Sequence, residues 1–158
     1  TISTVGLIPE IDKLAKEDIQ VNLAVSLHAP DDATRSQTMP INKRYPIAAL
    51  IEACRNYVRR TNRRIFFEYV LLKDQNDSVN QSHKLGELLR GLLCHVNLIP
   101  VNPTGNGPYE RTELGNAKEF QTGLQSFGIP STVRMEKGID IDAGCGQLRA
   151  RVLENENL

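Results

Sequence analysis

Cys145 stands between Gly144 and Gly146 in the stretch GIDIDAGCGQLRARV, residues 138 to 152. A thiolate is a good nucleophile, and its use depends on what can reach it. Two neighbours without side chains give such a sulfur clearance and its loop freedom. The other polar groups with chemical reach interrupt apolar runs as those runs finish: Ser3, Ser26 with His28, Glu68 with Lys73, and Asn102. Each has a plainer use. A serine hydroxyl can satisfy nearby backbone groups, a histidine opening a loop needs no task, and Asn102 before Pro103 can initiate a turn. Glu68 differs, because a carboxylate inside IFFEYVLL is costly to bury without a partner. A hydroxyl, an amide or an arginine would serve, and structural pairing is favoured over acid–base work.

These residues need elements to position them. VNLAVSL, residues 21 to 27, is apolar and β-branched enough for a buried strand. The following HAPDDATRSQTMPINKRY reads as a polar loop with two prolines. From Pro46, a good first helical residue, Ile47, Leu50, Ile51, Cys54, Tyr57 and Val58 form the stripe of an amphipathic helix, with Cys54 in the core. Residues 65 to 72 predict a second covered strand, then a helix capped by Asp77 or Ser78 and carrying Leu85, Leu88, Leu89 and Leu92. HVNLIPVN at 95 to 102 is a third strand, followed by a Gly- and Pro-rich loop. Ala117, Phe120, Leu124 and Phe127 mark a helix ending at Gly128, and STVRM at 131 to 135 a last short strand. At the start, ISTVGLIP reads as a strand end and IDKLAKE as a short helix. Strands alternating with helices predict one α/β domain over residues 1 to 158, with a parallel sheet and right-handed crossovers. In such sheets ligands gather at the carboxyl ends of the strands, where Ser3, Ser26, His28, Glu68, Lys73 and Asn102 fall.

Composition narrows the partners. At 158 residues, with 40% hydrophobic and 24% charged, the chain can bury a real core. Lys plus Arg and Asp plus Glu both number 19, so no excess positive charge announces nucleic-acid binding. Lys43, Arg44, Arg55, Arg59, Arg60, Arg63 and Arg64 nonetheless cluster, either to complement a helix end or to face phosphates. No apolar run reaches the ~18 residues that would suggest a membrane span, and no leader pattern opens the chain. Cys54, Cys94 and Cys145 are far apart and in no metal-ligand spacing, which fits a reduced, cytoplasmic setting and assigns no metal ligand to this chain. Phosphate-loop patterns are absent, and GNGP at 105 to 108 ends in a proline that lacks the needed N–H. The start, TISTVG, without methionine and already β-rich, is expected of a fragment of something longer.

Taken together and in order, ISTVGLIP, VNLAVSLHAP, MPINKRYP, FEYVLL, NLIPVNP and DIDAGCGQL resemble the C-terminal half of the RlmN/Cfr family of radical SAM RNA methyltransferases, the RlmN type more closely. The resemblance spans essentially all 158 residues. It implies an incomplete (β/α) barrel of the radical SAM type, with S-adenosylmethionine and a [4Fe-4S] cluster as cofactors. It implies methylation of C2 of an adenosine in 23S rRNA, and in tRNA, in the cytoplasm. Ser3, the Ser26-Leu27-His28 triplet and Asn102 would contact S-adenosylmethionine, and Cys145 would carry the methyl group. Adenosine C2 is too weak a nucleophile for simple displacement, so a cysteine thiolate takes the methyl first. A radical formed from a second S-adenosylmethionine then draws a hydrogen from that S-methyl group before it adds to the base, which must leave its stack.

The chain also departs from the family. The CxxxCxxC that would ligate the cluster, the Gly-Glu pair for the amino group of S-adenosylmethionine, and the second cysteine all lie outside it. Gly144 stands where alanine is more usual. This chain alone is therefore expected to be inactive, and the missing N-terminal half is an implied partner. Its first strand should present a free sheet edge, a liability or a site for self-association. Competing readings are a radical SAM enzyme acting on another substrate and a non-catalytic S-adenosylmethionine- or RNA-binding module. A thiol hydrolase using Cys145 and His28 stands third.

Overall fold

The computed structural model describes residues 1 to 102 and 108 to 134. Five parallel strands lie side by side in chain order: β1 (Ile2–Thr4), β2 (Leu23–Ser26), β3 (Ile65–Leu71), β4 (Cys94–Pro100) and β5 (Ser131–Val133). Between them run α1 (Ile8–Leu14), α2 (Asp32–Thr38), a 3₁₀ turn (Pro40–Lys43), α3 (Ile47–Thr61), α4 (Val79–Leu89) and α5 (Leu114–Gln125). An order that never reverses, with right-handed crossovers, puts the helices on one face of the sheet. That is the geometry of a barrel segment, as expected, and not of a doubly wound sheet.

The two faces of the sheet differ. Ile65, Phe67, Tyr69 and Leu71 of β3 and Cys94, Val96 and Leu98 of β4 are buried against the helices. They share one core with Leu50, Cys54 and Tyr57 of α3, Leu85 and Leu89 of α4, and Phe120 and Leu124 of α5. Glu68 and Asn97, between those residues, alternate onto the opposite, half-buried face. Helices α4 and α5 pack closely because Gly123 has no side chain: a Cβ there would lie 2.0 Å from Ser82 Oγ.

Most boundaries follow local signals. Ser78, one of the two expected caps, and Gln81 form a reciprocal capping box at the start of α4. Asn62, at φ 52°, ends α3 in the left-handed conformation. Pro46 is the N-cap of α3 and not its first helical residue. Helix α5 stops at Gln125, before the expected Gly128, which makes the left-handed turn into β5 at φ 72°. The main correction concerns residues 32 to 38, read as loop and found as α2, capped by the Asp31 carboxylate accepting from the Thr34 N–H at 2.9 Å. Its buried residue is Arg35, so no apolar stripe betrays it. Among the described residues β1 pairs only with β2, and Ile2, Val5 and Leu7 are exposed beside its open edge. No helix among the described residues is long and apolar enough to cross a membrane.

Candidate functional site

Arg35 ties together the carboxyl ends of β1 and β2. It is fully buried and has no ion pair among the described residues. Instead its Nε donates to the Leu27 carbonyl at 3.1 Å, and its Nη2 to the carbonyls of Val5 at 2.8 Å and Ser26 at 3.1 Å. Its Nη1 donates to Asn42 Oδ1 at 3.0 Å. Asn42, from the MPIN stretch, turns its Nδ2 to Asp32 Oδ1 at 3.0 Å and Ser36 Oγ at 2.9 Å. The same Asp32 oxygen accepts from the Ile47 N–H at 2.8 Å, capping α3. Burial lowers the pKa of Arg35, with Asp32 opposing. A guanidinium stays charged in such a setting because its delocalised charge can be shared among several acceptors. Gly6 of ISTVG completes the arrangement. Its φ of 102° suits glycine, and a Cβ would meet Leu50 Cδ2 at 3.1 Å and Arg35 Nη2 at 3.2 Å.

His28 is held from three sides. Its backbone is left-handed, at φ 57°, an unusual conformation that needs support. Asn76 supplies it: Nδ2 donates to the carbonyls of His28 at 2.9 Å and Val70 at 2.7 Å, while Oδ1 accepts from the Leu72 N–H at 2.7 Å. The Tyr69 hydroxyl donates to the Asn76 carbonyl at 2.8 Å. The Val70 N–H donates to His28 Nδ1 at 3.1 Å, which leaves the ring proton on Nε2. Burial, and then the charge of Arg35, depress the His28 pKa to about 4. The ring is thus a neutral, fixed donor, and its Nε2 has no partner among the described residues. Its Nδ1 is already engaged, so the arrangement gives no support to a base beside a thiol.

The remaining candidates fall in a pattern. Ser26, Glu68, Asn97 and Thr132 are register partners across four strands, so their side chains share the half-buried face. Glu68 finds the amide expected of a structural partner: Asn97 Nδ2 donates to its Oε1 at 2.9 Å. Ser3 pairs with Ala24, the inward-facing position two residues before Ser26. Neither serine hydroxyl makes a hydrogen bond among the described residues. Leu27 has its side chain in the core, its N–H on the Glu68 carbonyl at 3.0 Å and its carbonyl on Arg35. Asn102, just beyond β4, buries an Oδ1 that has no hydrogen-bond partner among the described residues. Lys73 pairs with Glu110 at 3.1 Å. Cys145, with Gly144 and Gly146, lies outside the described residues. Ser26, Leu27, His28 and Asn102 thus gather at one end of the sheet, with Ser3 on the same face of the edge strand. Sequence reading missed Arg35, Asn42 and Asn76; the Asp31 cap was the one local signal that could have led to the first.

The opposite end is built differently. Arg55 donates to the carbonyls of Leu88 at 3.2 Å and Arg90 at 3.3 Å, joining α3 to the end of α4. Arg59 pairs with Glu52 at 2.9 Å. Arg60, Arg63 and Arg64 follow at the end of α3 and the start of β3, away from the carboxyl rim. Cys54, pushed up to about 12 by burial and then by Cys94, and Cys94, pushed up to about 11 by burial, are inert core thiols. Among the described residues no three His, Cys, Asp or Glu side chains gather as a metal site.

No protein-family model matches the chain. A domain of the pyruvate-formate lyase-activating enzyme from Bacteroides vulgatus superposes with a TM-score of 0.65 over 83% of this chain and 78% of its own; at 14% identity it speaks for the fold alone. A radical SAM methyltransferase from Sphaerobacter thermophilus superposes with a TM-score of 0.90 at 57% identity, over 94% of this chain and 43% of its own. The fold is that of a barrel segment of the radical SAM type. Curated proteins named probable dual-specificity RNA methyltransferase RlmN are similar throughout: 50% identity over 156 residues in Alkaliphilus metalliredigens and 53% over 157 in Chloroflexus aurantiacus. Those alignments take in 99% and 96% of this chain but 44% and 42% of the relatives. Over nearly its whole length the chain is thus similar to RlmN-type radical SAM methyltransferases, and it spans somewhat under half the length of the curated relatives it matches.

Proposed function

We propose that residues 1 to 158 are the C-terminal part of the catalytic domain of an RNA methyltransferase. The full-length protein would methylate C2 of an adenosine in 23S rRNA and in tRNA, with Cys145 as the methyl carrier. The observation that carries the reading is the rim: Asn102 Oδ1 and Ser26 Oγ have no partner among the described residues, nor has the Nε2–H of His28. All lie at the carboxyl end of one parallel sheet. Such a set offers an acceptor, a two-way hydroxyl and a fixed donor, which fits the mixed donors and acceptors of an adenosyl group. Ser3 adds a second hydroxyl on the same face, and Leu27 the remaining lone pair of its carbonyl. These residues would hold S-adenosylmethionine, which with a [4Fe-4S] cluster would supply the methyl group and the one-electron chemistry. The chain's own residues bind and orient it, while Arg35, Asn42 and Asn76 keep the rim in place.

The family resemblance implies that the cluster ligands lie in a preceding segment, and the buried thiols of Cys54 and Cys94 offer none here. The open edge of β1 is where strands of that segment would pair. From the sequence, Gly144 and Gly146 would give the Cys145 sulfur clearance for both the cofactor and a base. The test is the full-length protein with Cys145→Ala, incubated with both cofactors, a reductant and an rRNA hairpin. The expected result is loss of both C2-methyladenosine and any protein–RNA adduct by mass spectrometry. An adduct still formed by this variant would remove Cys145 from the role.

A further inference from the structure

Glu68 has half of its hydrogen-bonding capacity unexplained. Oε1 accepts from Asn97 Nδ2 at 2.9 Å, whereas Oε2 has no donor and the carboxylate no ion pair among the described residues. A carboxylate only accepts, and this one stands midway along β3 between the same-face apolar residues Phe66 and Val70. Its register partner on β2 is Ser26, whose hydroxyl is also free among the described residues. Neighbouring strands are ~4.8 Å apart, so the free carboxylate edge and the Ser26 hydroxyl border one small space. Arg35 does not reach into it, since its donors go to carbonyls and Asn42. His95, two residues before Asn97 on the same face of β4, is turned to Thr132 Oγ1 at 2.9 Å, and His28 Nδ1 to the Val70 N–H.

What fits is a ligand group with two adjacent donors, at least one able to accept in return. A vicinal diol has that pattern. An adenine edge offers donors only at its exocyclic amine, and a ligand carboxylate would be repelled. We propose that Glu68, oriented by Asn97, receives the ribose hydroxyls of the adenosyl ligand, with Ser26 completing the contact. This rests on the adenosyl reading of the rim and adds the residue that selects a ribose over a deoxyribose.

The test measures equilibrium binding to the cluster-loaded full-length protein, without reductant, of S-adenosylhomocysteine and its 2′-deoxy and 3′-deoxy forms. Hydrogen bonds to a charged acceptor predict that the unsubstituted protein prefers the ribose form over at least one deoxy form by about 10- to 100-fold. Glu68→Gln keeps the volume and an oxygen for Asn97, and should compress that preference to within about 3-fold while leaving deoxy binding little changed. Glu68→Asp, with the carboxylate withdrawn by one methylene, should fall between and serves as the second variant. Glu68 variants that keep the full preference, or that weaken all three ligands equally, would overturn the proposal; equal weakening is what a fold-supporting carboxylate or an ammonium contact predicts. No binding of S-adenosylhomocysteine by the unsubstituted protein would instead overturn the adenosyl reading and this inference with it.

Discussion

At the carboxyl end of the sheet, Arg35 is buried and gives its N–H groups to three carbonyls and Asn42. At the amino end, Arg60 and Arg64 are exposed and make no ion pair among the described residues. The same side-chain type thus serves two purposes. A guanidinium inside the fold replaces water for backbone groups that the strand ends would leave unpaired, and so fixes the end of β2 at Ser26 and the turn at His28. A guanidinium at the surface keeps its own water and constrains little. Polar residues mark a site here only where burial has converted them into fixed geometry.

The largest expected effect tests the first half of that contrast. Arg35→Leu removes a charge but also the donors of three carbonyls and Asn42, and should destabilise the protein by about 3–5 kcal/mol in denaturant unfolding. A loss below about 1 kcal/mol would mean that the carboxyl rim does not depend on this hub.

The next effect concerns pH. The folded-state pKa of His28 is depressed from 6.5 to about 4, so between those values the unfolded chain binds more protons than the folded one. Stability from the neutral ring is present above pH 6.5 and is lost as pH falls towards 4. Allowing for the partial exposure of the ring, this amounts to about 1–2 kcal/mol. His28→Asn, which tolerates the left-handed backbone, should flatten the stability profile across that window. An unchanged acid slope would mean that the ring protonates in place.

At the amino end the expected change is smallest: Arg60→Ala should shift stability by no more than about 0.5 kcal/mol. A larger loss would erase the distinction between the two ends.

Much of this organisation was legible in the residues. Apolar runs ending in polar residues located β2, β3 and β4, and the stripe from Ile47 to Val58 located α3, because burial of apolar area leaves a periodic trace. Ser26, His28 and Asn102 stood out for the same reason, as breaks in those runs. Helix α2 stayed hidden because the residue it buries is an arginine, which reads as surface in any hydropathy pattern. Asn76, in the KDQNDS stretch between β3 and α4 where no periodic pattern falls, is the brace for His28.

The sequence by itself determined the alternation of strand and helix, the parallel sheet, the core, the likeness to RlmN-type proteins, and the end of the sheet where polar groups collect. Only the tertiary structure decided which of those groups are spent on the fold and which stay free. Arg35 and Val5 are 30 residues apart, Asn76 and His28 48, Glu68 and Asn97 29. Hydropathy and propensity report what a residue prefers within a turn or two of its own position. A hydrogen bond between distant segments exists only once topology has set their register, and it is that bond which assigns the proton of His28 and leaves one oxygen of Glu68 unclaimed among the described residues.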